Sequence, residues 1–212
     1  IASNTKAFTA AALAILVDEK KLEWDRRVVD VLPGFQMSDP YVTREMRVRD
    51  LLVHRSGLGL GAGDLLYFPP SNLSSAEVIR RLRYVPLASS FRSKYDYDNI
   101  LYVVAGAVIE QVSGMPWDRF IRERIFKPVG MAVNDVLRWV DVQLKHGKLA
   151  EGRLFSEAQA EQMWTPHVLM PNRKPAPELA GVKSNFQTYA LGWEVSEYRG
   201  ELMVWHTGGL PG

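Results

Sequence analysis

From Ala7 to Val17 the chain is apolar almost all the way round a helix, and no other stretch restricts its fold as much. A helix without a polar face cannot lie on a surface, so the rest of the molecule must cover it on every side. Thr5 to about Lys20 is therefore predicted as a central helix, ending where polarity returns at Asp18-Glu19-Lys20-Lys21. A second strongly apolar helix is expected from Asn99 through Val112, packing through Leu101, Val104, Ala105, Val108 and Ile109 and stopped by Ser113-Gly114. A chain of 212 residues can enclose both in one sizeable core or in two intimately packed subdomains.

Shorter helical patterns fill the rest. Leu22 to Val31 mixes charge with apolar residues before Leu32-Pro33-Gly34 ends it. Val42 to Val53 reads as one helix after the turn Ser38-Asp39-Pro40, closing at Gly57. Gly57 to Ala62 fits G-x-G-x-x-A, but a helix precedes it and Phe68-Pro69-Pro70 follows, so it is read as a flexible loop and not a dinucleotide site. Ser74 to Leu82 is a capped helix and Pro86 to Lys94 a loop. Trp117 to Phe126 is a helix ended by Pro128 and Gly130, followed by helices at Asn134 to His146 and Ser156 to Trp164. Pro166 to Gly181 is a proline-rich connection. Only the end alternates like sheet: Tyr189, Leu191, Trp193 and Val195, a turn at Tyr198-Arg199-Gly200, then Leu202 to His206. The class is α+β, with many helices and a small antiparallel sheet.

Three places can carry chemistry. At the mouth of the first helix, Ser3 and Lys6 are three residues apart and share a face, so the amine can reach the hydroxyl. Burial and the positive helix end both lower a lysine pKa, as a proton acceptor requires. The plainer alternative is a Ser3-Asn4 helix cap beside a solvated lysine. Tyr97 and Asn99 open the second apolar helix; they can relay a proton and hold a carbonyl, with nearby cations lowering the tyrosine pKa, or they are a core aromatic and an N-cap. His206-Thr207-Gly208-Gly209 follows the last strand, where Gly209 N–H can complete an oxyanion hole with that of Ser3; the alternative is a hairpin histidine with a glycine turn.

Ser3-Asn4-Thr5-Lys6, Tyr97-Asp98-Asn99 and His206-Thr207-Gly208 together resemble the S-x-x-K, Y-x-N and K/H-T-G motifs of the penicillin-recognising serine hydrolases. The resemblance is to the branch of class C β-lactamases, D-alanyl-D-alanine peptidases, family VIII esterases and CubicO-type peptidases. Val48 to Leu58 is similar to that family's "iRdLLtHtSGL" and Phe126 to Met131 to its "I-x-x-P-L-G-M". It implies a β-lactamase/transpeptidase-like fold: one catalytic domain over 1–212, with an α/β part at 1–20 and 134–212 and a mostly helical part at 21–133. By the same resemblance Ser3 is the nucleophile of an acyl-enzyme, and Lys6 and Tyr97 share the proton transfers. Asn99, His206, Thr207, Gly208 and Gly209 bind substrate and its oxyanion. The expected reaction is hydrolysis of an amide or ester, first of all in a small or D-amino-acid-containing peptide. An esterase or β-lactamase on the same site comes next, and a non-catalytic penicillin-binding or regulatory protein is the reading from another class.

Histidine stands where β-lactamases of this kind usually carry lysine, which places β-lactam hydrolysis below peptidase or esterase action. Family members also carry chain before the first motif, after the third, and several tens of residues between the positions of Met131 and Asn134, so the chain is expected to be incomplete. No cofactor is implied, and no metal, since His54, His146, His167 and His206 lack ligand spacing. A net charge of +2 without runs of like charge gives nucleic acid no face, and the longest wholly apolar run, Ala10 to Val17, is too short to span a bilayer. The absence of cysteine excludes disulfides and a thiol nucleophile. The resemblance suggests a periplasmic or secreted protein; the sequence leaves oligomeric state open.

Overall fold

The computed structural model describes residues 2–132, 135–172, 177 and 184–209. Its centre is α1 (Thr5–Asp18), whose residues from Lys6 to Leu16 are all buried. The covering elements follow in chain order: α2 (Val28–Val31), α3 (Pro40–Glu45), α4 (Ser75–Arg81), α5 (Ile100–Ser113), α6 (Trp117–Ile121), α7 (Lys127–Val129), α8 (Val136–Leu144) and α9 (Glu157–Trp164). α1 packs on α5, α6 and α9. The five residues expected to form the packing face of α5 are all buried. Around Phe8 of α1, the Phe126 ring stands edge-on at 5.3 Å and the Trp139 ring lies at 4.5 Å. Asp18 at the end of α1 accepts from the backbone N–H and hydroxyl of Ser156, the N-cap of α9. One core cluster runs from Ala7 to Leu191.

Val42 to Val53 is not one helix. Asp39 caps α3, with Pro40 in its first turn, and α3 ends at Glu45. Val28 N–H then donates to Met46 O and Val48 N–H to Arg26 O, an antiparallel bridge that pulls Met46 and Arg47 out of helical geometry. A 3-10 turn, Val48–Leu51, follows. Buried Asp50 in that turn accepts from Arg47 N–H, Arg55 and Arg92, fixing the segment that leads to His54. Pro128 does not end the helix begun at Trp117: a π turn at Arg122–Phe126 precedes α7, which holds Pro128 in its first turn where no helical N–H bond is needed, and Gly130 is the stop.

Among the described residues the sheet has four strands, where the alternation points to two. β1 (Val168–Leu169) lies inside the expected connection, and β2 (Gln187–Tyr189), β3 (Glu194–Tyr198) and β4 (Glu201–Trp205) complete an antiparallel meander in the order β1-β2-β3-β4. The alternation at 189–195 covers two strands and their turn. Gly192 makes that turn at φ 79°, and a Cβ there would stand 2.9 Å from Lys6 O, so only glycine lets the sheet seat on the first turn of α1. Leu191 N–H also donates to Met163 O of α9. The expected gap between Met131 and Asn134 falls on 133–134, outside the described residues, as do 173–176 and 178–181 of the expected connection.

Candidate active site

Ser3 sits in a 3-10 turn, Ala2–Asn4, that runs into α1, and neither it nor Asn4 makes a side-chain cap bond to the helix. The hydroxyl is turned to other partners. Lys6 Nζ lies 3.2 Å from Ser3 Oγ, Tyr97 OH donates to the same oxygen at 2.8 Å, and Lys6 Nζ donates to Asn99 Oδ1 at 2.7 Å. The first turn of α1 and the 3-10 turn before it carry the first pair and the entry to α5 the second, so the contact of the two apolar helices fixes the four groups.

Lys6 is a buried lysine held over the rings of Tyr97 and Tyr102, at 4.7 and 4.9 Å from their centroids. Desolvation brings its pKa down to about 8, against the raising influence of Asp64 and Asp98. Tyr97 moves the other way from the expected lowering by cations. Burial raises its pKa, and Glu194, Asp64 and Asp98 add to the rise, while the Ser3 bond opposes it. Tyr97 is thus a neutral O–H donor, and Lys6 is the group poised to change charge near neutral pH.

Gly209 lines the same cleft as Ser3, Lys6 and Asn99, a cavity of about 610 Å³ walled by Val103, Gly106 and Trp117. His206 stands apart from Ser3, Lys6 and Tyr97 OH. Its Nε2 is 2.8 Å from Tyr189 OH, Nδ1 is 2.6 Å from Thr207 O, and its ring lies 6.4 Å from that of Tyr97. Burial, with Lys6 and His54 adding to it, lowers its pKa to about 4, so it is neutral at pH 7 and not the cation of its motif position. Thr207 and Gly208 are exposed.

Two residues outside the three catalytic motifs join the site: Asp64, which no motif names, and His54 of the Val48 to Leu58 segment. Asp64 accepts from Asn99 Nδ2 at 2.9 Å through Oδ2 and from Tyr67 OH at 3.0 Å through Oδ1. The glycine run around it was the available signal, but a fingerprint test and a flexible-loop reading pass over the carboxylate. Buried His54 stacks on Tyr97 at 4.2 Å, and its Nδ1 accepts from Asp98 N–H at 3.2 Å. Among the described residues no cluster of three His, Cys, Asp or Glu is placed to hold a metal, and no single helix is long and apolar enough to cross a membrane.

The family model for Beta-lactamase matches residues 1–133, which hold Ser3, Lys6, Tyr97 and Asn99. The chain belongs to the beta-lactamase family. Among its relatives, Unguisins hydrolase ungD' of Aspergillus campestris is 28% identical over 258 aligned positions that cover 99% of this chain and 48% of that protein. The alignment is longer than the chain, so that relative carries residues with no counterpart here. A structure of the octameric penicillin-binding protein homologue from Pyrococcus abyssi matches with a TM-score of 0.78 at 21% identity, over 99% of this chain and 56% of that one. D-amino acid amidase from Ochrobactrum anthropi, in complex with D-phenylalanine, matches at 0.74 and 21% identity, over 100% and 78%. This member of the beta-lactamase family therefore has the β-lactamase/transpeptidase-like fold, and it spans less than half the length of the curated relatives it matches.

Proposed function

We propose that this chain is a serine hydrolase that forms an acyl-enzyme on Ser3 and hydrolyses an amide or ester, with small or D-amino-acid-containing peptides as its substrate class. The observation that carries the reading is Lys6, 3.2 Å from Ser3 Oγ with a pKa near 8. At pH 7 roughly a tenth of such a lysine is neutral, against less than about one in a thousand at the ordinary value.

Neutral Nζ takes the Ser3 proton as Oγ bonds to the substrate carbonyl carbon. The carbonyl electron pair moves to oxygen, which faces the N–H groups of Ser3 and Gly209. Collapse re-forms the carbonyl and breaks the C–N or C–O bond, while Lys6 and Tyr97, each at hydrogen-bond distance from Oγ, share the return of the proton to the leaving atom. Water then attacks the ester, loses a proton to the same groups, and Ser3 leaves with a proton regained. Neutral His206 offers a substrate carboxylate little, which keeps β-lactams below neutral amides and esters. The names of the relatives, a hydrolase, an amidase and penicillin-binding proteins, support the amide class.

A fluorophosphonate or labelled penicillin probe, followed by mass spectrometry, is expected to place an adduct on Ser3; an unmodified Ser3 overturns the reading. A panel of D-Ala-D-Ala peptides, p-nitrophenyl esters and nitrocefin ranks the substrates, and rapid nitrocefin turnover would reverse the order given.

A further inference from the structure

We propose that Asp64 is the positioning residue of this site: by accepting from Asn99 Nδ2 it fixes which end of that amide faces Lys6, and its charge sets how readily Lys6 gives up its proton. The inference rests on the reading of Lys6 as the base.

An amide side chain can be turned over at almost no intrinsic cost, yet only its oxygen can accept from lysine. A carboxylate accepts only, so the 2.9 Å bond from Asn99 Nδ2 to Asp64 Oδ2 forces Oδ1 towards Nζ, where it is found at 2.7 Å. Asp64 is itself fixed. Tyr67 OH holds its second oxygen, and burial raises the Tyr67 pKa so that it remains a donor. Gly61 N–H donates to Tyr97 O, Asp64 N–H donates to Gly61 O, and Gly63 is left-handed at φ 83° with Ile100 Cδ1 2.5 Å from where a Cβ would stand. The loop that carries Asp64 is thereby tied to both the tyrosine and the start of α5. The titratable and charged groups facing Lys6 are Asp64 from this loop, Asp98 and Tyr97 before α5, Tyr102 on α5, and His54 and His206, whose pKa values are lowered by burial. Of the two carboxylates, Asp64 is the larger influence on Lys6 and the one that lines the cleft.

The test compares Asp64→Asn and Asp64→Ala with the wild type, following Lys6 by the pH titration of its 13Cε signal and Ser3 by the rate of fluorophosphonate labelling. The wild-type midpoint is expected near 8. Asp64→Asn keeps an acceptor but loses the charge, so the midpoint and the acidic limb of labelling move down by roughly 0.5 to 1 pH unit while the plateau stays within about tenfold. Asp64→Ala moves the midpoint likewise and lowers the plateau about tenfold further, since Asn99 is then free to turn. A merely structural role would lower the plateau without moving the midpoint. An unmoved Lys6 midpoint in Asp64→Asn overturns the charge role, and equal plateaus for the two variants overturn the amide clamp. If Ser3 of the wild type fails to label, the hydrolase reading falls, while the Lys6 titration still decides the role of Asp64.

Discussion

Ser3, Lys6, Tyr97 and Asn99 stand at two helix starts and bond directly to one another, whereas His206 to Gly209 extend from an edge strand and meet them only through rings and the shared cleft. On the proposed function, the difference follows from the tasks. A proton moves only between atoms at hydrogen-bond distance, so its carriers need the rigidity of α1 packed on α5. A segment that faces substrate needs backbone N–H groups and room, which an exposed glycine-rich stretch supplies. Burial that lowers the Lys6 pKa also keeps His206 neutral, so one low-dielectric site leaves the first region a lysine that changes charge near pH 8 and the second an uncharged imidazole.

The largest expected effect is at Lys6. Lys6→Met is expected to slow Ser3 acylation by about 10²- to 10⁴-fold and, at pH 7, to stabilise the protein by about 1–3 kcal/mol. Below pH 8 the folded wild type bears the full cost of a buried ammonium. Between about 8 and 10.5 the unfolded chain holds a proton that the folded one has lost, so wild-type stability rises with pH and the advantage of the variant fades. Urea denaturation at pH 7 and pH 10 checks this. A variant less stable at pH 7 would mean that the first region is held together by Lys6 and not strained by it.

Tyr97→Phe comes next. Removing a hydroxyl 2.8 Å from Oγ is expected to lower kcat about 10²-fold with KM little changed. Because the Tyr97 pKa is raised, the wild-type pH–rate profile should climb through about 8, where Lys6 loses its proton, and show no descending limb below 10. A descending limb between 8 and 10 would mean that Tyr97 gives up a proton the reaction needs within that range, against the rise that burial gives its pKa.

What the sequence made legible tracks what is local. α1 and α5 were readable because an all-apolar or one-faced pattern leaves one option, and the closeness of Ser3, Lys6, Tyr97 and Asn99 because they occupy the starts of those helices. The break at Met46-Arg47 depends on bonds to Arg26 and Val28, twenty residues upstream, and leaves no mark in its own residues. β1 is two residues long and is a strand only because β2 lies beside it. At 189–195 an alternating pattern is shared by a strand, a turn and a second strand, and only the approach of Gly192 to Lys6 explains why the chain reverses there. Asp64 leaves no mark in the glycine pattern around it, because its place in the site comes from a bond to Asn99, 35 residues further on.

The smallest effect is expected at His206, where the contrast between the regions is most exposed to failure. With Nε2 engaged by buried Tyr189 and no bond to Ser3, Lys6 or Tyr97 OH, His206→Ala is expected to change kcat/KM on a neutral amide or ester by less than about tenfold. The climb towards pH 8 set by Lys6 should show no further break between pH 5 and 7, since the imidazole protonates only as pH falls to about 4. His206→Lys places a strongly hydrated cation at the same spot, charged at pH 7, and should speed nitrocefin, which carries a carboxylate, several-fold while leaving the neutral ester unchanged. If His206→Ala instead matches the loss of Tyr97→Phe, the strand segment acts in proton transfer and the two regions form one machine. If His206→Lys moves both substrates alike, the segment is reaching the site through Tyr97 and not through the substrate.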